Sequence, residues 1–216
     1  MKEYINKNLK IINADCMEIM KNYCDNYFDL AIIDPPYGIE RFKKPSGKTR
    51  FKSSKLMQEQ GLTWDKKPSE KYWNELFRIS KNQIIWGANN FILPPSEYFL
   101  VWDKKQPVPN FASCEYAWVS MGLKKPAKIF EYSIHKHNHT NKIHPTQKPL
   151  KLYEWILKHY AQKEDKILDT HLGSGSNAIA SYYYDCKEFV GIEIDEEYYK
   201  ASIKRIKEQT SQIKLL

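Results

Sequence analysis

The strongest chemical signal in the sequence is the tetrapeptide Asp34-Pro35-Pro36-Tyr37, which directly follows an apolar run at residues 28–33. Two consecutive prolines cannot continue a central strand, so the backbone here forms a rigid turn with free carbonyls. The Asp34 carboxylate and the Pro35 carbonyl can then both accept hydrogen bonds from one amino group, and the Tyr37 ring offers a face for stacking. This proline turn predicts a site that binds a planar group bearing –NH₂.

A second signal is the segment LDTHLGSGS at residues 168–176, called the glycine turn below. Glycines at a helix N-terminus let a ligand approach the backbone and point free N–H groups at an anion. Glu193 follows Gly173 by 20 residues, at the end of the next predicted strand, where a carboxylate can chelate ribose hydroxyls. Taken alone, the turn is equally compatible with a structural role, and Glu193 with a solvent-exposed one.

The elements that position these motifs alternate between strands and helices. Apolar patterning predicts strands at 9–12, 28–33, 84–86, 98–102, 115–119, 166–169 and 189–194. It predicts helices at 15–20, 71–79 and 150–160, a small-residue helix through Asn177, and a last helix capped by Asp195. This order predicts an α/β fold, a Rossmann-like, doubly wound, mostly parallel sheet with helices on both faces and basic loop insertions.

Two irregular basic stretches, at about 41–67 and 124–148, interrupt this pattern. We therefore expect one domain over residues 1–216, with insertions at about 39–67 and 124–145. The formal net charge is +8 and the isoelectric point is about 9.1. This balance favours a polyanionic partner such as nucleic acid.

The composition excludes several classes of protein. Hydrophobic residues make up 42% of the 216 residues and charged residues 28%, as in a globular domain. No apolar run reaches the roughly 20 residues that a membrane helix needs, and the first residues lack a signal-peptide core. Four scattered cysteines without a CxxC pair argue against a disulfide scaffold. We therefore expect a cytoplasmic protein with no membrane contact.

The four histidines at positions 135, 137, 139 and 144 superficially suggest a metal site. Zinc sites usually combine histidine with cysteine or carboxylate at ligand spacing, and neither accompanies these residues. The sequence instead favours a polar loop here and predicts no bound metal.

Together, the motifs resemble the amino-methylating DNA methyltransferases that use S-adenosylmethionine. The proline turn matches the catalytic tetrapeptide of that family, and the glycine turn resembles its cofactor turn. There, a Phe or other apolar residue usually stands near the position of His171 or Leu172. The segments HPTQKP at 144–149, NADC at 13–16 and GIEID at 191–195 also fit. With the catalytic motif first and the cofactor turn near the end, the order is the β order of this family, and the resemblance spans nearly the whole chain.

The resemblance implies transfer of a methyl group from S-adenosylmethionine to the exocyclic N6 amine of adenine in DNA. Serine commonly replaces Asp34 in cytosine-N4 enzymes, and asparagine stands there in enzymes that methylate protein glutamine. Cytosine-N4 methylation, glutamine methylation and a non-catalytic DNA-binding module that retains the fold remain alternatives. The implied partner is double-stranded DNA with a flipped target base, in a restriction-modification setting, bound by a monomer or homodimer.

The implied catalytic residues are Asp34, Pro35, Pro36 and Tyr37. The implied cofactor contacts are Asp15, Cys16, Asp34, Thr146, Gln147, Lys148, Asp169, His171, Gly173, Ser174, Gly175, Ser176, Asn177, Glu193 and Ile194. The resemblance places Asp15 near the adenine of the cofactor, although Asp15 is equally suited to cap the helix that follows it. Lys148 and its two preceding neighbours would border the methionine end, or cap the helix after Pro149.

The DNA contact is expected just after the proline turn, in a run of seven basic residues without an intervening carboxylate. These residues are Arg41, Lys43, Lys44, Lys48, Arg50, Lys52 and Lys55. A solvated charged surface is the usual explanation of such a run. Its position beside the proline turn favours contact with phosphates instead.

Overall fold

The computed structural model describes residues 1–38, 66–138, 142–144 and 146–211. The strands are β1 (Lys2–Asn6), β2 (Leu9–Asn13), β3 (Phe28–Ile33), β4 (Ser80–Trp86), β5 (Phe99–Asp103), β6 (Cys114–Val119), β7 (Lys128–Glu131), β8 (Lys166–Asp169) and β9 (Glu188–Glu193). The helices are α1 (Cys16–Met20), α2 (Glu70–Ile79), α3 (Ile134–Asn138), α4 (Leu150–Tyr160), α5 (Ser176–Tyr184) and α6 (Glu196–Ser211). None of the helices in these ranges has the length and apolar character needed to cross a membrane.

All the strands of the described residues join one sheet, in the order β1-β2-β9-β8-β3-β4-β6-β5-β7. The central strands β2, β9, β8, β3 and β4 pair in parallel. β6 pairs antiparallel with both β4 and β5, while β7 runs parallel to β5. The predicted mostly parallel α/β sheet is therefore confirmed, with an antiparallel extension on the β4 side.

Helices cover both faces of the sheet, because successive strand residues point to opposite sides. Leu30 and Ile32 of β3 pack in a core cluster with α4 and α5, whereas Ala31 and Ile33 pack in a second cluster with α1 and α2. Trp73, which the sequence pattern did not single out, joins Tyr72 and Leu76 in the buried face of α2. Each central strand is therefore buried on both faces, as its continuous apolar run predicts.

The prediction of irregular structure at 124–148 is wrong for β7 and α3. β7 is a four-residue edge strand whose residues alternate between exposed and half-buried, so it carries little apolar signal. β1, also missed, is a polar edge strand paired only with β2. α3 contains His135 and His137, so these residues lie in a helix and not in a loop. The insertion predicted at 39–67 lies almost wholly outside the described residues.

The strand order reverses between β3 and β8. From β3 the chain continues through α2 to β4 on one side, and from β8 through α5 to β9 on the other. Such a switch point leaves a crevice at the carboxyl ends of the two strands, where ligands bind in open α/β sheets. Asp34 and Asp169 lie at these two strand ends.

Gly191 of β9 allows the glycine turn to pack closely on the sheet. A Cβ at Gly191 would lie 2.8 Å from Leu172 Cδ1 and 3.0 Å from Ile11 Cδ1. We expect Gly191→Ala to lower the free energy of unfolding by about 1–3 kcal/mol through overpacking. Denaturant titration measures this effect, and exposed Lys187→Ala is the control. Equal stability of the two variants would contradict the close-packing explanation.

Candidate functional site

A cavity of about 880 Å³ opens at the carboxyl edge of the central strands. β5 runs parallel to β4, and β6 runs opposite to both, so the end of β5 and the start of β6 lie at this same edge. The predicted residues that line the cavity are Asp15, Cys16, Asp34, Pro35, Pro36, Tyr37, Thr146, Gln147, Lys148, His171, Gly173, Ser174, Glu193 and Ile194. The fold thus brings residues from both ends of the sequence to one site.

The proline turn leaves β3 at Ile33 and places Asp34 in the wall of the cavity. The Tyr37 hydroxyl donates to Asp34 Oδ1 over 2.7 Å. The Tyr37 ring packs over Gly87, whose φ is +67° and where a Cβ would lie 2.0 Å from the ring. Gly87 was not predicted as a site residue, since the conflict between a side chain there and the Tyr37 ring arises only when two distant turns pack together.

Lys148 contacts Asp34 directly. Its Nζ donates to Asp34 Oδ2 over 2.5 Å and lies 3.0 Å from Glu115 Oε2, and its side chain is 3% exposed. Burial acts to lower the pKa of Lys148, but Asp34 and Glu115 outweigh it and hold the pKa well above the ordinary value. Burial raises the pKa of Asp34, and Lys148 opposes that shift.

Glu115 and Lys104 extend this charge arrangement along the sheet edge. Lys104 Nζ lies 2.6 Å from Glu115 Oε1 and 5.2 Å from the centre of the Trp102 ring. Burial acts to raise the pKa of Glu115, but Lys148 and Lys104 outweigh it and lower the pKa to about 2. Sequence reasoning missed Trp102, Lys104 and Glu115 as cavity residues. Only the β5–β6 pairing, in which Trp102 lies opposite Glu115, brings them to the site.

The glycine turn crosses from β8 to α5 with Gly173 and Gly175 in left-handed conformations, at φ +53° and +73°. The Gly173 N–H donates to Glu193 Oε2 over 2.8 Å, and the Asp195 N–H donates to Glu193 Oε1 over 2.9 Å. Burial raises the pKa of the Glu193 carboxyl to about 7. Glu193 is therefore a buried side chain oriented by two backbone donors, not a solvated surface residue.

Four predicted cofactor contacts lie beneath the cavity wall instead of lining it: Asp169, Gly175, Ser176 and Asn177. Asn177 Nδ2 donates to Ile32 O over 3.1 Å and to Asp169 Oδ2 over 3.0 Å, so it ties α5 to both strands of the switch point. Burial raises the pKa of Asp169 to about 7. These residues brace the site from behind.

Asp15 caps a helix at the edge of the cavity. Asp15 Oδ1 accepts the Met17 N–H over 2.8 Å as the N-cap of α1, and the residue also lines the cavity. Burial raises the pKa of the adjacent Cys16 thiol to about 12, so this thiol is protonated at neutral pH. It is not poised as a nucleophile.

Residues 146–148 are held in place by their neighbours. His137 Nε2 hydrogen-bonds Gln147 O over 2.6 Å, and Ser176 Oγ donates to Lys148 O over 3.0 Å. Thr146 is exposed at the cavity rim and hydrogen-bonds His144 Nδ1.

In the described part of the chain, no group of three or more His, Cys, Asp or Glu side chains could hold a metal ion.

His171 and Leu172, near which the family resemblance predicts an apolar residue, both line the cavity. Tyr72 and Thr170 hydroxyls lie 2.6 Å apart, and Thr170 Oγ1 lies 2.9 Å from His171 Nδ1. Burial lowers the pKa of His171 to about 4, which keeps the ring neutral. A neutral ring packed edge-on against Tyr72 can serve as an aromatic wall of the cavity.

The predicted DNA contacts at 41–55 lie outside the described residues.

Comparison with known proteins agrees with this geometry. The family model for DNA methylases of the N6 and N4 type matches residues 80–204. The Type II methyltransferase M2.MboI of Moraxella bovis is 30% identical, over 96% of this chain and 91% of its own length. The crystal structure of an M1.HpyAVI–SAM complex aligns with a TM-score of 0.59 and 22% identity, covering 91% of this chain and 99% of that one.

The PvuII DNA methyltransferase, described as cytosine-N4-specific, aligns with a TM-score of 0.62 and 12% identity, over 99% of this chain and 89% of that one. Its likeness supports the fold, and the family model spans both N6 and N4 enzymes. The resemblance drawn from the sequence motifs is thereby confirmed, and the chain belongs to the DNA methylase family of site-specific amino-methyltransferases.

Proposed function

We propose that this enzyme transfers the methyl group of S-adenosylmethionine to the exocyclic N6 amine of adenine in double-stranded DNA. The observation that carries the proposal is the state of Asp34. Its carboxylate, 13% exposed, lies in the cavity with Oδ2 bound to an ammonium and Oδ1 to a hydroxyl. A position that accepts hydrogen bonds from an ammonium is suited to accept them from an amino group.

Asp34 and the Pro35 carbonyl together can activate such an amine. The lone pair of an exocyclic amine is delocalised into the ring, and two accepted hydrogen bonds draw the nitrogen toward tetrahedral geometry. Positive charge then develops on nitrogen near the Asp34 carboxylate, which stabilises it. The raised pKa of Asp34 suits this carboxylate to take up the proton that the nitrogen loses.

The residues on the β8–β9 side of the cavity fit S-adenosylmethionine. Glu193 and Asp15 supply carboxylates for ribose hydroxyls and an amino group, and Gly173 lines the same side of the cavity. About 880 Å³ falls in the range of roughly 300–1,000 Å³ typical of ligand sites. When bound, the cofactor supplies a methyl group on a sulfonium, already activated for transfer.

Adenine is favoured over cytosine by Asp34 itself, since serine commonly stands there in cytosine-N4 enzymes. A paired base cannot reach the cavity, so the target must flip out at a cost of a few kcal/mol. Stacking on Tyr37 would return about 1–3 kcal/mol of this.

The cytoplasmic location, the single-domain organisation and a monomeric or homodimeric state remain predictions.

Mass analysis of nucleosides tests the proposal. After incubation with unmethylated genomic DNA and S-adenosylmethionine, we expect N6-methyladenine. N4-methylcytosine would overturn the adenine assignment, and methylglutamine in a protein substrate would overturn the DNA assignment. Cofactor binding without any methylated product would favour a non-catalytic module.

Asp34→Ala should lower kcat by at least about 10²–10³-fold, the scale expected for removing one stabilising group at the reacting centre. Asp34 follows β3 and is not part of its apolar core, so the fold should be retained, but the melting temperature should fall because the buried Lys148 ammonium loses a partner; calorimetric cofactor binding checks that the variant is folded. Asp103→Ala, which removes a carboxylate paired with Lys105 at the same sheet edge, is the matched control. Near-normal methylation by the Asp34 variant would rule out the mechanism.

Cofactor affinity should depend on pH through Glu193. Its pKa is raised to about 7, and the ionised form accepts hydrogen bonds from hydroxyls, so affinity should rise by about tenfold between pH 6 and pH 8. Glu193→Gln should bind S-adenosylmethionine more weakly and without this pH dependence. Calorimetry at both pH values measures the effect. A parent Kd independent of pH would remove Glu193 from the cofactor site.

Substituting Lys43, Lys44 and Lys48 together by Gln should weaken DNA binding and flatten its salt dependence. Each phosphate that the variant no longer neutralises should lower the log–log slope by about 1, whereas cofactor affinity should not change. Binding titrations at several salt concentrations provide the measurement. If the slope is unaltered, the DNA contact must be sought in the 124–142 stretch.

A further inference from the structure

Lys148 holds two carboxylates with one buried ammonium. Its Nζ lies 2.5 Å from Asp34 Oδ2 and 3.0 Å from Glu115 Oε2. A lysine ammonium has three N–H donors, so both contacts can exist together. Asp34 therefore already accepts a hydrogen bond from a donor of the enzyme itself.

The backbone of Lys148 is fixed independently of its side chain. Ser176 Oγ donates to Lys148 O, the preceding Gln147 O hydrogen-bonds His137, and α4 begins at Leu150. The lysine side chain is a flexible stem of four carbons. The ammonium can therefore shift between Asp34 and Glu115 while the backbone stays in place.

This occupancy conflicts with catalysis at Asp34. The target amine needs a carboxylate oxygen, and positive charge develops on the amine during transfer. An ammonium remaining on Asp34 would compete for the oxygen and repel that charge. Glu115 provides a second carboxylate within 3.0 Å, and the 2.6 Å contact between Lys104 and its other oxygen keeps it in place.

We propose that Lys148 is a positioning residue that holds Asp34 in the base-free enzyme and withdraws onto Glu115 when the target amine arrives. This inference rests on the proposed role of Asp34. It assigns to Lys148 a role on the substrate side of Asp34, in contrast to the cofactor contact expected from its sequence motif, and it makes Glu115 the anchor that receives the ammonium.

A double-mutant comparison tests whether the effect of Glu115 on KM depends on Lys148. Glu115→Gln removes the charge that receives the ammonium, so KM for unmethylated genomic DNA should rise by about tenfold, the scale of one charged hydrogen bond. In a Lys148→Met background, the same change should add little, because no ammonium then competes for Asp34. An equal effect in both backgrounds would overturn the proposal.

The pH profile of kcat/KM, which reports the pKa values of the base-free enzyme, supplies a readout that a purely structural role would not move. The titratable groups that interact electrostatically with Asp34 are Lys148, Tyr37 of its own turn, Glu115 of β6, Asp169 of β8 and Tyr153 of α4. Lys148 is the cation in this set, and its charge lowers the pKa of Asp34. Lys148→Met should therefore move the acidic side of the pH–rate profile to higher pH by about one pH unit or more. Lys148→Arg retains the charge and should restore the parent limb. An unshifted limb in Lys148→Met would also overturn the proposal.

Two controls match these variants. Lys105→Met and Glu131→Gln alter an exposed ion pair at the ends of β5 and β7 and should retain parent kinetics. Asp34→Ala separates the two hypotheses: full activity would reject the proposed function. If Asp34→Ala is inactive but Glu115→Gln changes KM equally with and without Lys148, only the present inference is rejected. Calorimetric cofactor binding checks that each variant is folded.

Discussion

The buried ammonium of Lys148 is the interaction on which the charge distribution of the site depends. It offsets the carboxylates of Asp34 and Glu115, and Lys104 neutralises Glu115 from the other side. Removing one partner from such a buried set leaves an uncompensated charge, which is strongly unfavourable. Each of these buried charges therefore needs its partner, so the proline turn, β5 and β6 must all be in place before the side chains can be buried.

Sheet topology makes this arrangement possible. Parallel strands end at one edge, so the switch point between β3 and β8 places Asp34 beside the glycine turn. The antiparallel β6 returns the chain to that edge and presents Glu115 on the other side of Asp34. The cavity consequently has a proposed cofactor side, with Glu193, and a proposed substrate side, with Glu115, on either side of Asp34.

The residues of the glycine turn divide between the cavity lining and the protein interior. Gly173 and Ser174 line the cavity, whereas Asn177 and Ser176 point into the protein and tie α5 to β3 and to Lys148. Buried polar groups require partners, and here those partners belong to the neighbouring site elements. The glycine turn thus links α5 to β3 and to the backbone of Lys148.

The sequence alone determined the central strands, most helices and the motifs at their ends, because continuous apolar runs and proline or glycine turns act locally. It also indicated the family. It could not reveal β1 and β7, edge strands whose polar residues carry little apolar pattern. Nor could it reveal Glu115, Lys104 and Gly87, since their relation to Asp34 and Tyr37 exists only after distant strands and turns pack. For the same reason, tertiary structure decided that Lys148 contacts Asp34: an ion pair between residues so far apart in the chain requires the folded sheet edge.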